Sequence, residues 1–141
     1  MNQKINGILV TILIIVFLNG CSNVTSTKPA AENAVTSFHE KYNSKDFDSI
    51  FDDSHDDFKA ATNFEDFNEF MQAVYSKLGN VESTECQNWK VGNYNLKTTA
   101  SLQQQTQFEN GVGVETFSYR IEDEKAVLFG YHINSRDLIV K

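Results

Sequence analysis

Residues that break or cross-link a chain are scarce in this sequence. Among 141 residues there are one proline and two cysteines, and 22% of the residues are charged against 40% that are hydrophobic. This balance argues against intrinsic disorder and against collagen-like or coiled-coil structure. The length predicts one folded domain with a single core and excludes a large two-domain enzyme.

Basic side chains and catalytic motifs are scarce as well. There are 12 Lys and Arg residues against 19 Asp and Glu residues, a net charge of −7, so nucleic acid is not expected as a partner. The sequence has no Gly-rich phosphate loop, nucleophile elbow, HExxH motif or CxxC pair. These absences disfavour the common NTPase, hydrolase, zinc-peptidase and redox functions, so no cofactor is predicted and an enzyme is the minority expectation.

A long hydrophobic run is also missing, since spanning a bilayer takes about 20 apolar residues. The longest run, Ile8 to Leu18, has eleven residues, is interrupted only by Thr11 and follows Lys4. A charged region followed by a short apolar region is typical of a secretory signal peptide. The run ends at Leu18-Asn19-Gly20-Cys21, which resembles the lipobox of bacterial lipoproteins.

The lipobox resemblance implies a signal peptide over residues 1–20 and a diacylglycerol anchor on the Cys21 thiol. Ser22 occupies the position where an Asp commonly marks inner-membrane retention. The implied location is the periplasmic side of the outer membrane, or the outer face of the cytoplasmic membrane in a Gram-positive cell. The alternative is a plain amino-terminal membrane helix. With Cys21 lipidated, Cys86 has no partner for a disulfide and is expected to be buried.

Hydrophobic spacing predicts helices in the first half of the remaining chain. Small polar residues at 22–28 predict a tether, which with the lipidated cysteine covers 21–29 and leaves a single domain over 30–141. The predicted helices cover 29–42, 46–51 and 62–79. The first has a buried stripe of Ala31, Val35, Phe38 and Tyr42. Ser44 is the expected cap of the second, and Thr62 opens a capping box for the third.

The second half changes to a period of two and predicts an antiparallel sheet. The predicted strands cover 82–91, 96–109, 112–121 and 126–133, with turns at 92–93, 110–111 and 122–124. Helices that precede strands indicate an α+β fold in which three amino-terminal helices pack on a curved sheet of about four strands.

Three short segments carry a resemblance to a known superfamily. They are Trp89-Lys90-Val91, residues 108–117 and residues 128–135. With the element order, they resemble a small bacterial domain of unknown function within the cystatin-like, nuclear transport factor-like cone superfamily. The resemblance implies an envelope domain and supplies no catalytic residues. Because this superfamily includes isomerases, dehydratases and binding modules, the fold does not decide the function.

Strand register predicts one polar pair inside the sheet. A two-residue turn at 110–111 would pair Thr106 with Glu115, and a turn that pairs Ile121 with Ala126 would place His132 opposite Glu115. Glu115 and His132 are therefore the candidate acid and base, or a site for a polar ligand group. The alternative is an ordinary cross-strand pair, and one bulge would move His132 to the other face. Thr106, Tyr119 and Trp89 are the candidate ligand contacts.

The opposite sheet face also contains apolar residues in this register. They are Val112, Val114, Val127, Phe129, Tyr131 and Ile133. Such a face predicts either a partner or homodimer surface, or a surface covered by the third helix or the carboxy-terminal tail.

The densest charge run, 52–57, contains four carboxylates and His55. It lacks the spacing of a calcium loop or a zinc site, so a solvated loop and no metal are expected. Together these features predict a lipid-anchored envelope protein with a non-enzymatic domain that binds a small ligand or an envelope protein. The alternatives are an isomerase, dehydratase or hydrolase that uses Glu115 and His132, and an acidic inhibitor or immunity-type protein with a basic partner.

Overall fold

Four helices precede the strands along the described chain, as the predicted order requires, and a short fifth helix follows them. The computed structural model describes residues 22–140, with side chains described from 26 to 139, so Cys21 and the predicted cleavage site lie outside the described residues. The helices are α1 (Ser22–Asn43), α2 (Phe47–Asp52), α3 (Asp56–Ala61), α4 (Phe64–Leu78) and α5 (Arg136–Val140). The strands are β1 (Val81–Tyr94), β2 (Lys97–Phe108), β3 (Gly111–Glu122) and β4 (Lys125–Asn134). Within the described residues, no helix is both long and apolar enough to cross a membrane.

The four strands form one antiparallel sheet in the order β1-β2-β3-β4, and two-residue turns connect neighbours. The turns at 95–96 and 123–124 have positive φ at both residues, the geometry that matches the twist of paired strands. In the turn at 109–110, the two backbone N–H groups donate to carbonyls of Asn80 and Leu78 at the end of α4. The predicted turn at 92–93 instead lies within β1, and the one at 110–111 is displaced by one residue.

α1 begins earlier than the sequence predicts. The helix starts at Ser22, so residues 22–28 are helical where a tether was expected. Thr27 is 2% exposed and already belongs to the packed part of the helix. The predicted stripe is confirmed, because Ala31, Val35, Phe38 and Tyr42 are all buried. The polar composition of 22–28 obscured the first turns of this helix, where the buried residue is Thr27.

Two helix caps differ from the predicted ones, and a third helix starts where a loop was predicted. Asp46, and not Ser44, caps α2 by accepting a hydrogen bond from the Ser49 N–H. Asn63, one residue after the predicted cap Thr62, caps α4 by accepting from the Asp66 N–H. The acidic run expected to be a loop contains the start of α3, where the His55 side chain accepts from the Asp57 N–H.

The helices pack on one face of the sheet and enclose the core with it. The sheet contributes alternate residues, which in β2 are Ala100, Leu102, Gln104, Thr106 and Phe108. The helices contribute Phe47, Ile50, Phe58, Phe67, Met71, Val74 and Leu78 in addition to the α1 stripe. The α+β prediction is confirmed at this level. Cys86, expected to be buried, is a half-buried free thiol.

A bulge in β4 decides which side chains reach the core. Tyr119 pairs with Leu128, but Ser118 pairs with Gly130, so Phe129 is the extra residue. A one-residue shift reverses the facing of every later residue in the strand. Tyr131 and Ile133 therefore lie on the core face, and their predicted place on the outer face was wrong. On the outer face Val112 and Val114 are 41% and 37% exposed.

α3 covers the free edge of β4. The His55 N–H donates to the Leu128 carbonyl at 2.8 Å, which uses a backbone group of that edge strand. Asp57 pairs with Arg120 Nη2 at 2.6 Å. Arg120 follows the inward Tyr119 and so points to the outer face, yet its side chain is buried because the rings of Tyr94 and Phe129 lie 5.4 and 4.8 Å from its guanidinium.

Candidate functional site

A buried carboxylate is the centre of the polar core. Glu115 is 1% exposed, and its Oε2 accepts a hydrogen bond from Thr106 Oγ1 at 2.5 Å. Its Oε1 accepts from the Tyr131 hydroxyl at 2.7 Å. His39 Nε2 lies 2.7 Å from Oε2, within hydrogen-bonding distance. We call Glu115, Thr106, Tyr131 and His39 the Glu115 cluster.

Each member of the Glu115 cluster is placed by a different local feature. Thr106 and Glu115 lie diagonally on β2 and β3, since Glu115 pairs directly with Gln104. Tyr131 reaches the core face because of the β4 bulge. His39 lies on the buried side of α1, and the Phe117 ring stands edge-on to its imidazole at 5.7 Å between centroids.

The predicted pairing of Glu115 with His132 is wrong. His132 pairs with Thr116 and is exposed, while Glu115 pairs with Ile133. The register of the β3–β4 turn is as predicted, with Ile121 opposite Ala126, and only the bulge changes the outcome. The imidazole beside Glu115 comes from α1 instead. The signal for His39 was in the sequence, because it lies four residues after Val35 in the predicted stripe.

Burial and the charge of Glu115 keep the neighbouring phenols protonated. Burial raises the pKa of Tyr131 well above its ordinary value, and the carboxylate that its hydroxyl contacts raises it further. The pKa of Tyr119 is raised by the same two causes in the same order. These hydroxyls therefore remain hydrogen-bond donors, and in the Glu115 cluster the carboxylate already has three partners.

A cleft lies between α1, α2 and the sheet, next to the Glu115 cluster. Its volume is about 190 Å³, and it is lined by Ala34, Ser37, Phe38, Lys41, Ile50, Asp53, Tyr119, Ala126 and Leu128. Neither Glu115 nor His39 belongs to this lining. Five of the nine lining residues are apolar, and the polar groups are those of Ser37, Lys41, Asp53 and Tyr119. We call it the α1 cleft.

One residue that lines the α1 cleft has a buried polar atom without a partner. Tyr119 is 2% exposed, and its hydroxyl has no hydrogen bond in the structure. A buried hydroxyl without a partner costs roughly 1–3 kcal/mol. The two charged lining residues already pair with each other, since Lys41 Nζ lies 2.6 Å from Asp53 Oδ2. Ser37, the other polar lining residue, is exposed, so the buried lining group without a hydrogen bond is the Tyr119 hydroxyl.

The three candidate ligand contacts are not brought together. Tyr119 lines the α1 cleft, whereas Thr106 belongs to the Glu115 cluster. Trp89 lies on the edge strand β1, is 42% exposed and has the Lys28 ammonium 5.9 Å from its ring centre. The residues that complete the cleft, Lys41 and Asp53 among them, are surface charges with no sequence signal of their own.

The acidic run contributes to packing in the structure. Asp57 binds Arg120, and Asp53 binds Lys41. Within the described part of the chain, no group of three or more His, Cys, Asp and Glu side chains is arranged to hold a metal ion.

No family model, curated protein or solved structure matches the chain.

Proposed function

We propose that this chain is a lipid-anchored protein of the bacterial envelope whose domain binds a small ligand in the α1 cleft without converting it. The anchor is Cys21, as the lipobox resemblance implies, and the location is the periplasmic side of the outer membrane. The fold proposed for the domain is the cystatin-like cone. The helices packed on one face of a four-stranded antiparallel sheet are compatible with that fold.

The unpartnered Tyr119 hydroxyl carries this proposal. Tyr119 lines the α1 cleft and its hydroxyl is buried without a partner, so the proposal requires the side chain to turn toward a bound ligand whose oxygen accepts the hydrogen bond. Sites for drug-sized molecules measure about 300–1,000 Å³. The α1 cleft, at about 190 Å³, fits a smaller molecule with an apolar body and one acceptor group.

The Glu115 cluster favours binding over catalysis. A general base must come within hydrogen-bonding reach of the proton that it removes. Glu115 is 1% exposed, already has three protein partners, and does not line the α1 cleft. The carboxylate is better suited to hold α1 on the sheet than to act on a molecule in the cleft.

Native mass spectrometry of the protein extracted gently from its own envelope tests the proposal. The wild-type protein should retain a small non-covalent mass beyond its covalent lipid, because the cleft is occupied. The Tyr119→Phe variant keeps the ring and removes the hydroxyl, so it should lose that mass. Tyr94→Phe is the matched control, since Tyr94 is 60% exposed and lies outside the cleft lining.

Two results would contradict the proposal. A wild-type protein with no additional mass would mean that no small ligand is held. A mass that persists in Tyr119→Phe would place the ligand elsewhere on the domain.

A further inference from the structure

The turn between β1 and β2 exposes an apolar residue that does not contribute to the fold. Leu96 is fully exposed, at 103% of its reference surface, and Tyr94 at the end of β1 is 60% exposed. We call residues 94–97 the β1–β2 tip. The Tyr94 ring lies 5.4 Å from the buried Arg120 guanidinium, which holds this side of the tip on the sheet.

The backbone of Leu96 makes this residue unusual at its position. Its φ is +63°, in the left-handed region where Gly and Asn are preferred in two-residue turns. A leucine there carries a conformational cost, and its fully exposed side chain recovers none of it by packing. The stability of the isolated domain therefore does not explain this residue.

The β1–β2 tip lies at the same end of the domain as the start of α1. Asn43 at the end of α1 exchanges two hydrogen bonds with the backbone of Val81 at the start of β1, and Lys28 lies over Trp89 farther along both elements. α1 and β1 therefore advance in opposite chain directions toward one end. From Lys28 to Ser22 is about 9 Å of helix, and from Trp89 to Tyr94 is about 17 Å of strand.

We infer that the β1–β2 tip inserts into the lipid surface to which the chain is anchored. Cys21 directly precedes Ser22, so the anchor proposed above would enter the membrane at this end of the domain. Leu96 then lies among the acyl chains and Tyr94 at the headgroup level, where tyrosine is enriched. The inference rests on the proposed anchor and fixes how the domain is oriented on it.

The acidic residues at this end of the domain favour a membrane surface of neutral, zwitterionic phospholipid over an anionic one. The neighbouring β3–β4 turn consists of Asp123 and Glu124 and follows Glu122 at the end of β3, and Lys97 of the tip pairs with Glu122 at 3.3 Å. Anionic headgroups attract basic segments and repel acidic ones. The tip is therefore suited to neutral phospholipid, with the acidic turn held in water beside it.

Tryptophan fluorescence of the full lipidated protein in phosphatidylcholine vesicles tests the inference. Trp89 is the only tryptophan, so Trp89→Phe supplies a silent background for a reporter at Leu96→Trp. Glu124→Trp in the same background is the matched control, because Leu96 and Glu124 are second residues of equivalent turns with φ of 63° and 64°. Circular dichroism checks that all variants fold.

The Leu96→Trp reporter should shift its emission to shorter wavelength on reconstitution and lose most of its intensity to lipids brominated near the headgroup. The Glu124→Trp reporter should do neither. If proteins that float with vesicles show no quenching at either position, the insertion is refuted while the anchor stands. If no variant floats with vesicles, the anchor is refuted and the insertion falls with it. Equal quenching of both reporters would show that the tip has no special role.

Discussion

A tyrosine hydroxyl that is buried without a hydrogen-bond partner should lower the stability of the folded protein relative to phenylalanine at the same position. Replacing Tyr119 by Phe removes such a hydroxyl from the α1 cleft and leaves the stacked ring of Phe117 in place. We expect the ligand-free Tyr119→Phe variant to unfold with a free energy about 1 kcal/mol higher than the wild type in urea denaturation. The domain would then gain stability by losing its ligand contact.

A second tyrosine provides the opposite case. The Tyr42 hydroxyl donates to the Gly79 carbonyl at 3.1 Å, and burial is the main reason that its pKa is raised. Tyr42→Phe should lower the free energy of unfolding by about 1 kcal/mol, because a made hydrogen bond is lost. If both variants were destabilised alike, the Tyr119 hydroxyl would have a partner in solution and the argument for the cleft would weaken.

For single residues, the sequence predicted which face of the sheet a side chain lies on better than it predicted which residue lies opposite on the next strand. The displaced turn at 109–110 moved the β2–β3 register by two positions, so Thr106 and Glu115 still share a face and still meet. The bulge at Phe129 moved β4 by one position, so His132 and Tyr131 exchanged faces. Alternation is preserved by an even shift and reversed by an odd one. The local sign of the bulge in β4 is Gly130, because a glycine inside a strand often marks a bulge.

Two adjacent residues at the start of α4, Thr62 and Asn63, should differ in how much they stabilise the helix. The sequence favours Thr62 as the cap, but the side chain that accepts the Asp66 N–H belongs to Asn63. Asn63→Ala should lower the free energy of unfolding by about 1 kcal/mol. Thr62→Ala should change it by much less, since the Thr62 hydroxyl contacts only the neighbouring Asn63 carbonyl. Equal losses in thermal or urea denaturation would contradict this assignment.

The ion pair of Asp57 with Arg120, which attaches α3 to the sheet, should stabilise the protein less at low pH. The hydrogen bond from Arg120 is the main cause that lowers the pKa of Asp57 below its ordinary value. The folded-state pKa then lies below that of the unfolded chain, at about 3.9. The stabilisation is therefore complete above the unfolded pKa and is lost as the pH falls through the folded one. The stability difference between wild type and Asp57→Asn, followed by urea denaturation, should be constant near neutral pH and shrink in acid.

At the level of elements, periodicity predicted the four strands and the long helices. The stripe from Ala31 to Tyr42 and the apolar face of α4 are each long enough to average out local exceptions. The short helices α3 and α5 were missed. α3 has one buried apolar residue, Phe58, whereas the equally short α2, which was predicted, has Phe47 and Ile50. The sequence of α3 resembles a charged loop because Asp56 and Asp57 lie in its first turn, where Asp57 also pairs with Arg120.

For the whole molecule, the lipid anchor makes a direct prediction. Cys21→Ser should abolish incorporation of labelled palmitate and leave an uncleaved precursor, because the acylated thiol is gone. Cys86→Ser is the matched control and should keep the label, since Cys86 is the half-buried thiol of the folded domain. Label that persists in Cys21→Ser would refute the lipobox interpretation.

The placement of α1 on the sheet also orders events in time. His39 and Glu115 are 76 residues apart, and Phe38 contacts Tyr131 in β4, so the first helix to be synthesised lacks its docking surface until the last strand exists. The sheet, by contrast, closes through two-residue turns whose contacts are local and fast to form. A ribosome or an export channel that delivers the chain amino end first would thus release α1 long before it can be trapped in a folded state. The topology itself delays completion of the core until β4 has emerged.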